Sequence, residues 1–375
     1  MANDKDFLLK NAVEVGGPTK VTLGTVTSND IDLATGNYFA DTLASNTTYT
    51  LSNAGGVQSF QLEVTGGTIG YDIIGASYDS VSFSISAQDT NPHGIFFKPD
   101  GLKMYILGFD GDDINEYSLS TAWDITTASF VQSFSVSTQE ATPLSFFFKP
   151  DGTKMYVTGY TGDDVNEYNL STAWDVSTAS FVQNFSVATQ ETVPEGLSFK
   201  SDGTKMYVLG STSDSIHEYN LSTAWDVSTA SYVQGFSVAT QDTNPTDLFF
   251  KSDGLKFYII GFNGDDINEY SLSTAWDVST ASYAQNFSFA SEDTTPRDVF
   301  FKSDGTKMYM VGGTGDAVYQ YTTSSTATIT WPSSIEWAGG VAPSAPATGE
   351  TDVFTLSTDD GGTSYVGVKT ADNLS

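Results

Sequence analysis

One nine-residue motif occurs five times in this chain of 375 residues, and its constant spacing limits the possible folds more than any other feature. The first copy, FKPDGLKMY, begins at residue 97, and its variants begin at residues 148, 199, 250 and 301, so the period is 51 residues. In each copy an apolar run is followed by Asp-Gly, a lysine and a second apolar run, which is the pattern of a β-hairpin with a tight turn. One unit repeated at one period indicates an array of similar units that pack on each other.

Each repeat contains four segments with the pattern of β-strands. In the second copy these are LSFFFK (144–149), KMYVTGY (154–160), VNEYNLS (165–171) and FVQNFSV (181–187). The third segment alternates apolar and polar residues, as a half-buried strand does. Four antiparallel strands in a repeat of this length predict one blade of a β-propeller, which is buried on both faces only when neighbouring blades flank it.

The strand count predicts a closed ring of five blades over residues 76–323. The first three strands occur five times, but the fourth strand, marked by a phenylalanine at 134, 185, 236 and 287, follows only four of them. Upstream, SVSFSIS places Phe83 51 residues before Phe134, whereas the pattern stops after Tyr321. We therefore expect the N-terminal strand to complete the last blade, so that the ring has no exposed sheet edge.

The hairpin also carries a resemblance to known proteins. The pattern P-x-x-x-F-F-K-P-D-G-x-K-M-Y, found between Tyr78 and Tyr321, resembles the inner hairpin of YVTN-type and NHL-like propellers. The resemblance implies the propeller fold. It implies no particular site, because propellers host many activities and this chain has fewer blades than is usual for those families.

The segments on either side of the repeats are predicted to form a second module together. Residues 24–67 and 327–368 alternate apolar and polar residues between Gly, Asn and Pro turns, with about four short strands on each side. Neither side has enough strands for a stable domain of its own. The predicted fold is therefore all-β: a five-bladed β-propeller inserted into a jelly-roll-like β-sandwich built from residues 23–70 and 326–375.

These flanking segments resemble a small β module of structural and tail-fibre proteins of tailed, marine-type bacteriophages. The matching words are DLATGNYF, NTTYTLSN and FQLEVTGG before the repeats, and ITWPSSIEWAGGVAP and DVFTLSTDDGGTSYVGV after them. The beginning, KDFLLKNAVEVGG, resembles the short leader of fibre proteins, so residues 1–22 are predicted to be an attachment segment. The resemblance implies a virion component assembled in the host cytoplasm, bound to other virion proteins and homo-oligomeric, with a trimer suggested by analogy with fibres.

Composition restricts the partners. The 46 acidic and 15 basic residues give a net charge of −31, which repels nucleic acid and anionic lipid. The sequence has no cysteine, no signal-peptide pattern at its beginning, and no apolar run near the ~18 residues that span a bilayer. We expect neither nucleic-acid binding nor membrane insertion.

Residues that recur in the copies are predicted to serve the fold. Aspartates recur in the second turn, where they favour turn formation, at residues 112, 163, 214, 265 and 316. Tryptophans recur in the long loop at residues 123, 174, 225 and 276, and we expect them to pack between blades.

Positions where the copies disagree are predicted to serve binding. The two residues after a recurring proline change from copy to copy: His93-Gly94, Leu144-Ser145, Glu195-Gly196, Thr246-Asp247 and Arg297-Asp298. They begin the first strand of each blade, which is innermost in propellers, so they would surround the mouth of the central channel. Five different pairs can recognise an asymmetric ligand, and the predicted ligand-binding residues are His93, Glu195, Asp247, Arg297 and Asp298.

Acidic residues just before these prolines suggest a metal site as one interpretation. Asp89, Glu140, Glu191, Asp242 and Asp293 are predicted to lie on one rim of the ring. Ca²⁺ could be held among such carboxylates, although no loop has the ligand order of an EF-hand and solubility explains an acidic rim equally well.

Catalytic motifs are sparse in the sequence. It has two histidines, His93 and His217, and it lacks a Gly-x-Ser-x-Gly motif and a phosphate-binding loop. The expected function is therefore a non-catalytic virion protein, a tail fibre or capsid decoration, in which the sandwich attaches to the particle and the propeller adheres to a host-surface glycan or protein. The alternative is a phage hydrolase of surface glycans that uses paired carboxylates, and such an enzyme would release sugar where a binder only adheres.

Overall fold

In the computed structural model, which describes residues 21–374, the chain consists of β-strands and short 3-10 helices. It divides into two compact units. One unit runs from Gly70 to Ser325, and the other combines the residues up to Ile69 with those from Thr326 onward. The predicted leader lies outside the described residues apart from its last two. Within the described range no helix is long and apolar enough to cross a membrane.

Seven short strands precede the repeats. They are β1 (Val26–Thr27), β2 (Asp30–Asp32), β3 (Tyr38–Thr42), β4 (Thr47–Thr48), β5 (Thr50–Ser52), β6 (Gln58–Thr65) and β7 (Thr68–Ile69).

The next twenty strands form five four-stranded antiparallel sheets. The chain first passes through β8 (Ser77–Ser84). Sheet 1 contains β9 (Pro92–Phe97), β10 (Lys103–Gly108), β11 (Asp113–Leu119) and β12 (Ala128–Ser135). Sheet 2 contains β13 (Pro143–Phe148), β14 (Lys154–Gly159), β15 (Asp164–Leu170) and β16 (Ala179–Ser186). Sheet 3 contains β17 (Pro194–Phe199), β18 (Lys205–Gly210), β19 (Ser215–Leu221) and β20 (Ala230–Ser237).

The last two sheets continue this pattern. Sheet 4 contains β21 (Pro245–Phe250), β22 (Lys256–Gly261), β23 (Asp266–Leu272) and β24 (Ala281–Ser288). Sheet 5 contains β25 (Pro296–Phe301), β26 (Lys307–Gly312), β27 (Ala317–Thr322) and the upstream strand β8. A 3-10 helix precedes the fourth strand of sheets 1 to 4, at Ile125–Thr127, Val176–Thr178, Val227–Thr229 and Val278–Thr280.

Sheet 5 is completed by a strand from before the repeats, as the sequence predicts. Strand β8 pairs antiparallel with β27, and Phe83 lies opposite Val318. The edge of β27 is therefore covered by hydrogen bonds to β8.

The five sheets pack on each other in cyclic order. Their first strands, β9, β13, β17, β21 and β25, each contact the next, and β25 contacts β9. An apolar cluster joins each pair of neighbouring sheets, including sheets 5 and 1, where Tyr309 and Met104 share one cluster. This repeated pattern of four-stranded sheets is consistent with a β-propeller.

A tryptophan links each sheet to its neighbour. The Trp225 indole packs on Gly203, whose φ of 73° and lack of a side chain allow this contact. From the preceding sheet, the Tyr156 hydroxyl donates to the carbonyl oxygen of Trp225 at 2.7 Å. Sheet 5 has Tyr71 in this place, with a φ of 62° and its carbonyl 3.1 Å from the Tyr258 hydroxyl. The tryptophans thus pack between sheets, as predicted. Because Tyr71 takes the place of a tryptophan, the unit of five sheets begins upstream of the predicted boundary at residue 76.

A buried ionic network also connects the sheets. Glu167 pairs with Lys154 and accepts a hydrogen bond from the backbone N–H of Val227 in the next sheet at 3.2 Å. Sheet 5 has Gln320 at the equivalent position, and Asp79 of β8 provides the carboxylate, 2.6 Å from Lys307. The closing strand therefore replaces a charge that the fifth repeat lacks.

The chain beyond the repeats completes the other unit. Its strands are β28 (Ser325–Thr326), β29 (Ile329–Thr330), β30 (Ile335–Trp337), β31 (Thr351–Thr358) and β32 (Tyr365–Leu374).

Strands from both flanks share one sheet in that unit. Its order is β3-β6-β31-β32-β30, and β6 pairs antiparallel with β31. Phe39 and Leu62 from one flank and Phe354 and Leu356 from the other are fully buried in a single apolar core. A three-stranded sheet, β1-β2-β5, and the pair β29-β4 accompany it. The two flanks therefore depend on each other for their core.

Candidate functional site

The residue after each recurring proline is the extra residue of a β-bulge. In sheet 1, Pro92 lies opposite Gly108 and Gly94 opposite Leu107, so His93 has no partner across the strand pair. The same shift occurs in the other four sheets. Bulges redirect side chains and are common beside functional sites. We call this end of the ring the variable end; its bulge residues are His93, Leu144, Glu195, Thr246 and Arg297.

A second set of variable residues has five members, three of which contact a bulge residue. Each follows the glycine that ends a second strand, and the five are Phe109, Tyr160, Ser211, Phe262 and Gly313. His93 stacks on Phe109 with ring centroids 4.7 Å apart. The Arg297 guanidinium lies 5.4 Å from the centre of the Phe262 ring. Comparing the copies at the position after that glycine could have revealed this second set from the sequence.

Three ionisable groups at the variable end influence each other. Burial, with the neighbouring Arg297 charge, lowers the pKa of His93 to about 3, so its imidazole is neutral near pH 7. Burial raises the pKa of Glu195 to about 7, although a hydrogen bond from Ser211 at 3.1 Å and the Arg297 charge oppose the rise. Burial lowers the pKa of Arg297, and the charge of Glu195 opposes this.

Arg297 also has an unused donor. Its buried Nε atom has no hydrogen-bond partner. A buried N–H without an acceptor is unfavourable by roughly 1–3 kcal/mol. An acceptor atom of a ligand would relieve this penalty, so Arg297 is a point at which a polar ligand could be fixed.

The other two predicted site residues lie one layer deeper. Asp247 and Asp298 are each only 5% exposed. The Asp298 carboxylate accepts a hydrogen bond from the backbone N–H of Ile95 at 2.6 Å, and Asp247 accepts one from the Ser145 hydroxyl at 3.2 Å. Because Ser145 and Asp247 belong to sheets 2 and 4, their bond crosses the centre between the sheets.

The two buried aspartates act as one titrating pair. Burial raises the pKa of Asp298 to about 6, and burial together with the charge of Asp298 raises that of Asp247 well above its usual range. Two adjacent carboxyls in a low-dielectric site hold one proton between them. The structure therefore brings His93, Glu195 and Arg297 together at the variable end and places the aspartate pair beneath them.

The predicted rim carboxylates are buried and hold loops in place. Asp89 accepts hydrogen bonds from the backbone N–H groups of Asn91 at 2.7 Å and Gly111 at 2.8 Å. Equivalent bonds to the second turn are made by Glu140, Glu191, Asp242 and Asp293. Among residues 21–374, no group of three or more acidic, histidine or cysteine side chains is arranged to hold a metal. A Ca²⁺ site at these residues stays a prediction.

The recurring aspartates of the second turn adopt the left-handed conformation. Asp112 has a φ of 45°, and Asp163, Asp214, Asp265 and Asp316 lie within two degrees of it. Aspartate tolerates this conformation better than most residues other than glycine. Turn formation thus accounts for their recurrence.

Comparisons with known proteins add no function. No model of a known protein family matches the sequence, and no characterised protein matches it either. Similar solved structures include a functionally unknown protein from Desulfotomaculum acetoxidans, with 12% identity over 59% of this chain and 65% of that one and a TM-score of 0.39. A protein from Lactobacillus plantarum has 13% identity over 72% and 68% of the two chains and a TM-score of 0.38.

The periplasmic gluconolactonase of Pseudomonas aeruginosa is a third, with 17% identity over 52% of this chain and 53% of that one and a TM-score of 0.35. The chain thus covers less than two thirds of the first of these structures. The similar structures are β-propeller-like proteins, and none of these three is described as a phage protein. Similarity at this level assigns no activity or source to this chain.

Proposed function

We propose that this chain is a non-catalytic binding protein in which a five-bladed β-propeller, inserted into a β-sandwich, presents an asymmetric ligand site at its variable end. The proposal of five blades rests on five sheets in cyclic contact and on closure by β8. The proposal of an inserted propeller rests on the pairing of β6 with β31, which come from opposite sides of the repeats.

The observation that carries the proposal is the contrast within each repeat. The core positions recur almost unchanged, whereas the bulge residue differs in all five sheets and the residue after the second strand is of four different types. Three residues of the second set contact a bulge residue. Blade packing cannot explain this variation, because the blades are otherwise alike. A binding site for a ligand without fivefold symmetry explains it.

A surface glycan is the ligand class that suits these groups. Aromatic rings pack on the C–H faces of sugars, and Phe109, Phe262 and the 58%-exposed Tyr160 provide such rings. Sugar hydroxyls both accept and donate, so they match the free Nε of Arg297 and the acceptor oxygens of Glu195. The net charge of −31 disfavours anionic glycans unless Ca²⁺ or another divalent cation bridges the two.

The setting that we propose is the virion of a tailed phage, as a tail fibre or capsid decoration. Its support is the sequence resemblance of the flanks: the words FQLEVTGG and DVFTLST, which come from the two groups that together resemble one phage module, form the neighbouring strands β6 and β31. In this setting the sandwich attaches to other virion proteins, the protein assembles as a homotrimer by analogy with fibres, and the propeller adheres to host cells.

Adsorption of the purified full chain to bacterial cells, with a glycan array in parallel, tests the binding site. We expect Arg297→Ala and Glu195→Gln to reduce adsorption about tenfold or more, since each removes a polar contact in a buried site. Leu255→Ala is the matched control, because Leu255 is 44% exposed and lies in a hairpin turn at the other end of the strands. Equal adsorption by all variants, with and without a chelator, would reject the site. Antibody labelling of purified phage particles tests the virion setting separately.

One observation favours a glycan hydrolase as a second candidate. Burial raises the pKa of Glu195 to about 7, and a carboxyl that titrates near neutrality is suited to act as a general acid. A hydrolase would release reducing sugar from envelope glycans, and Glu195→Gln would abolish release while leaving adhesion measurable. Adhesion without release by the unmodified chain would exclude this candidate.

A further inference from the structure

A cavity lies at the end of the first strands opposite the variable end. It is surrounded by one residue from each sheet at the same position of the repeat, and four of the five are phenylalanines: Phe96, Phe147, Ser198, Phe249 and Phe300. The cavity has a volume of about 190 Å³, which is smaller than the roughly 300–1,000 Å³ of sites for drug-sized ligands. A small molecule of few atoms would therefore fill it.

The four phenyl rings form a partial cage. Phe96 meets Phe147 edge to face with ring centroids 5.4 Å apart, and it meets Phe300 at 5.0 Å. Phe249 in turn meets Phe300 at 5.8 Å. All four rings remain partly exposed, while the following residue of each strand is buried. Ser198 interrupts the ring of phenylalanines, because its side chain is too small to fill the place of a fifth phenyl group.

The charged residues of the cavity are both acidic. In the lining formed by the described part of the chain, Asp247 and Asp298 are the only ionisable residues, and both are buried. Their carboxyls have a hydroxyl and backbone N–H groups as hydrogen-bond donors but no basic side chain among the residues of the lining. The cavity thus combines an aromatic wall with a negative charge that has no counter-ion in the lining.

We propose that this cavity binds a small organic cation, an alkylammonium or methylated ammonium group, whose charge faces the Asp247–Asp298 pair and whose alkyl groups contact the phenyl rings. Phenyl faces carry negative potential and attract ammonium groups, most strongly where water is excluded. The carboxyls add an opposite charge at the same place. This site is separate from the glycan site proposed above and does not depend on it.

Other occupants fit the cavity less well. An anion would meet two carboxyls and a protein of net charge −31. A hard cation such as Ca²⁺ requires six to eight oxygen ligands, which an aromatic wall does not provide. A neutral apolar molecule would leave the carboxyls without a counter-charge. An organic cation satisfies both the wall and the carboxyls.

The test is calorimetric titration of the full chain with choline and with its neutral isostere 3,3-dimethyl-1-butanol. We expect choline to bind about tenfold more tightly than the alcohol, since only choline gains the cation–π and charge interactions. Phe249→Leu should weaken choline binding several-fold while leaving the alcohol unchanged, because it removes a π face and keeps an apolar side chain.

Two further variants complete the experiment. Ser198→Phe restores the residue of the other four copies, so it should fold, fill the gap and abolish binding of both molecules. Phe130→Leu is the matched control, because it removes a 45%-exposed phenyl ring of β12 that does not line the cavity, and it should leave choline binding unchanged. Equal affinity for choline and the alcohol, no choline binding by the folded chain, or full binding by Ser198→Phe would overturn the proposal.

Discussion

The two ends of the ring differ in how closely the five repeats agree. At the hairpin-turn end every sheet has a tryptophan, or Tyr71 in its place, packed on a turn glycine and bonded to a tyrosine of the preceding sheet. At the variable end the bulge residue differs in all five sheets and the residue after the second strand is of four types, although the backbone positions are equivalent. Both ends belong to the same strands. The contrast indicates that repeated contacts stabilise the ring, whereas the bulges and the turns beside them can change without loss of the fold.

The largest effect should come from breaking a repeated contact at the turn end. Trp225 is 8% exposed and packs with Phe199 and Tyr156 of the neighbouring strands. Trp225→Ala should lower the free energy of unfolding by about 3–5 kcal/mol, because it leaves a cavity between two sheets. Urea unfolding measures this loss, with Trp225→Phe as a milder control. A loss below about 1 kcal/mol would contradict the stabilising role of this end.

A smaller effect is expected from a titrating residue at the variable end. The pKa of Glu195 is about 7 in the folded chain and lies near 4.5 when the group is free. The folded state therefore binds its proton more tightly, and this contribution to stability is complete below pH 4.5 and is lost as the pH rises through 7. The free energy of unfolding of the unmodified chain, relative to that of Glu195→Gln, should therefore fall by on the order of 2 kcal/mol as the pH rises from 4.5 through 7. If the free energy of unfolding of the unmodified chain and of Glu195→Gln changes equally from pH 4.5 to 8, the raised pKa of Glu195 is refuted.

Breaking the ion pair of the closing strand should lower the free energy of unfolding by about 1–2 kcal/mol. Asp79→Ala leaves Lys307 without its partner on β8. Because Lys307 is 32% exposed, this loss should fall between those measured for exposed and for buried ion pairs. Asp100→Ala removes the more exposed partner of Lys98 and serves as control. If both variants unfold at the same urea concentration as the unmodified chain, Asp79 does not strengthen the closure.

Much of the all-β repeat could be predicted because its period is constant. Spacing alone identified the four strands of each repeat and the partner of β27. It could not identify Tyr71, which is a different residue type and lies one position away from the 51-residue spacing of the tryptophans. It also could not show the bulge at His93, since a bulge changes the register without a sequence signal of its own.

Burial was the harder property to predict at the candidate site. Asp89 and its equivalents have the composition of an exposed rim, but they are buried because backbone N–H groups of a turn about 22 residues away satisfy their oxygens. Asp247 and Asp298 follow the variable residues directly, yet the strand turns them toward the centre of the ring. Hydrogen bonds between distant segments decided both cases, and one sequence does not reveal them.

The most direct test of the contrast between the two ends is to make the bulges alike. Thr246 already occupies one bulge, so the fourfold variant His93→Thr, Leu144→Thr, Glu195→Thr and Arg297→Thr gives every sheet a residue that this backbone accepts. Adsorption to cells and urea unfolding are then measured on the same preparation. The account predicts adsorption reduced about tenfold or more, with the fold retained and stability changed far less than by Trp225→Ala. Unchanged adsorption by this folded variant would contradict the claim that the variable end binds the ligand.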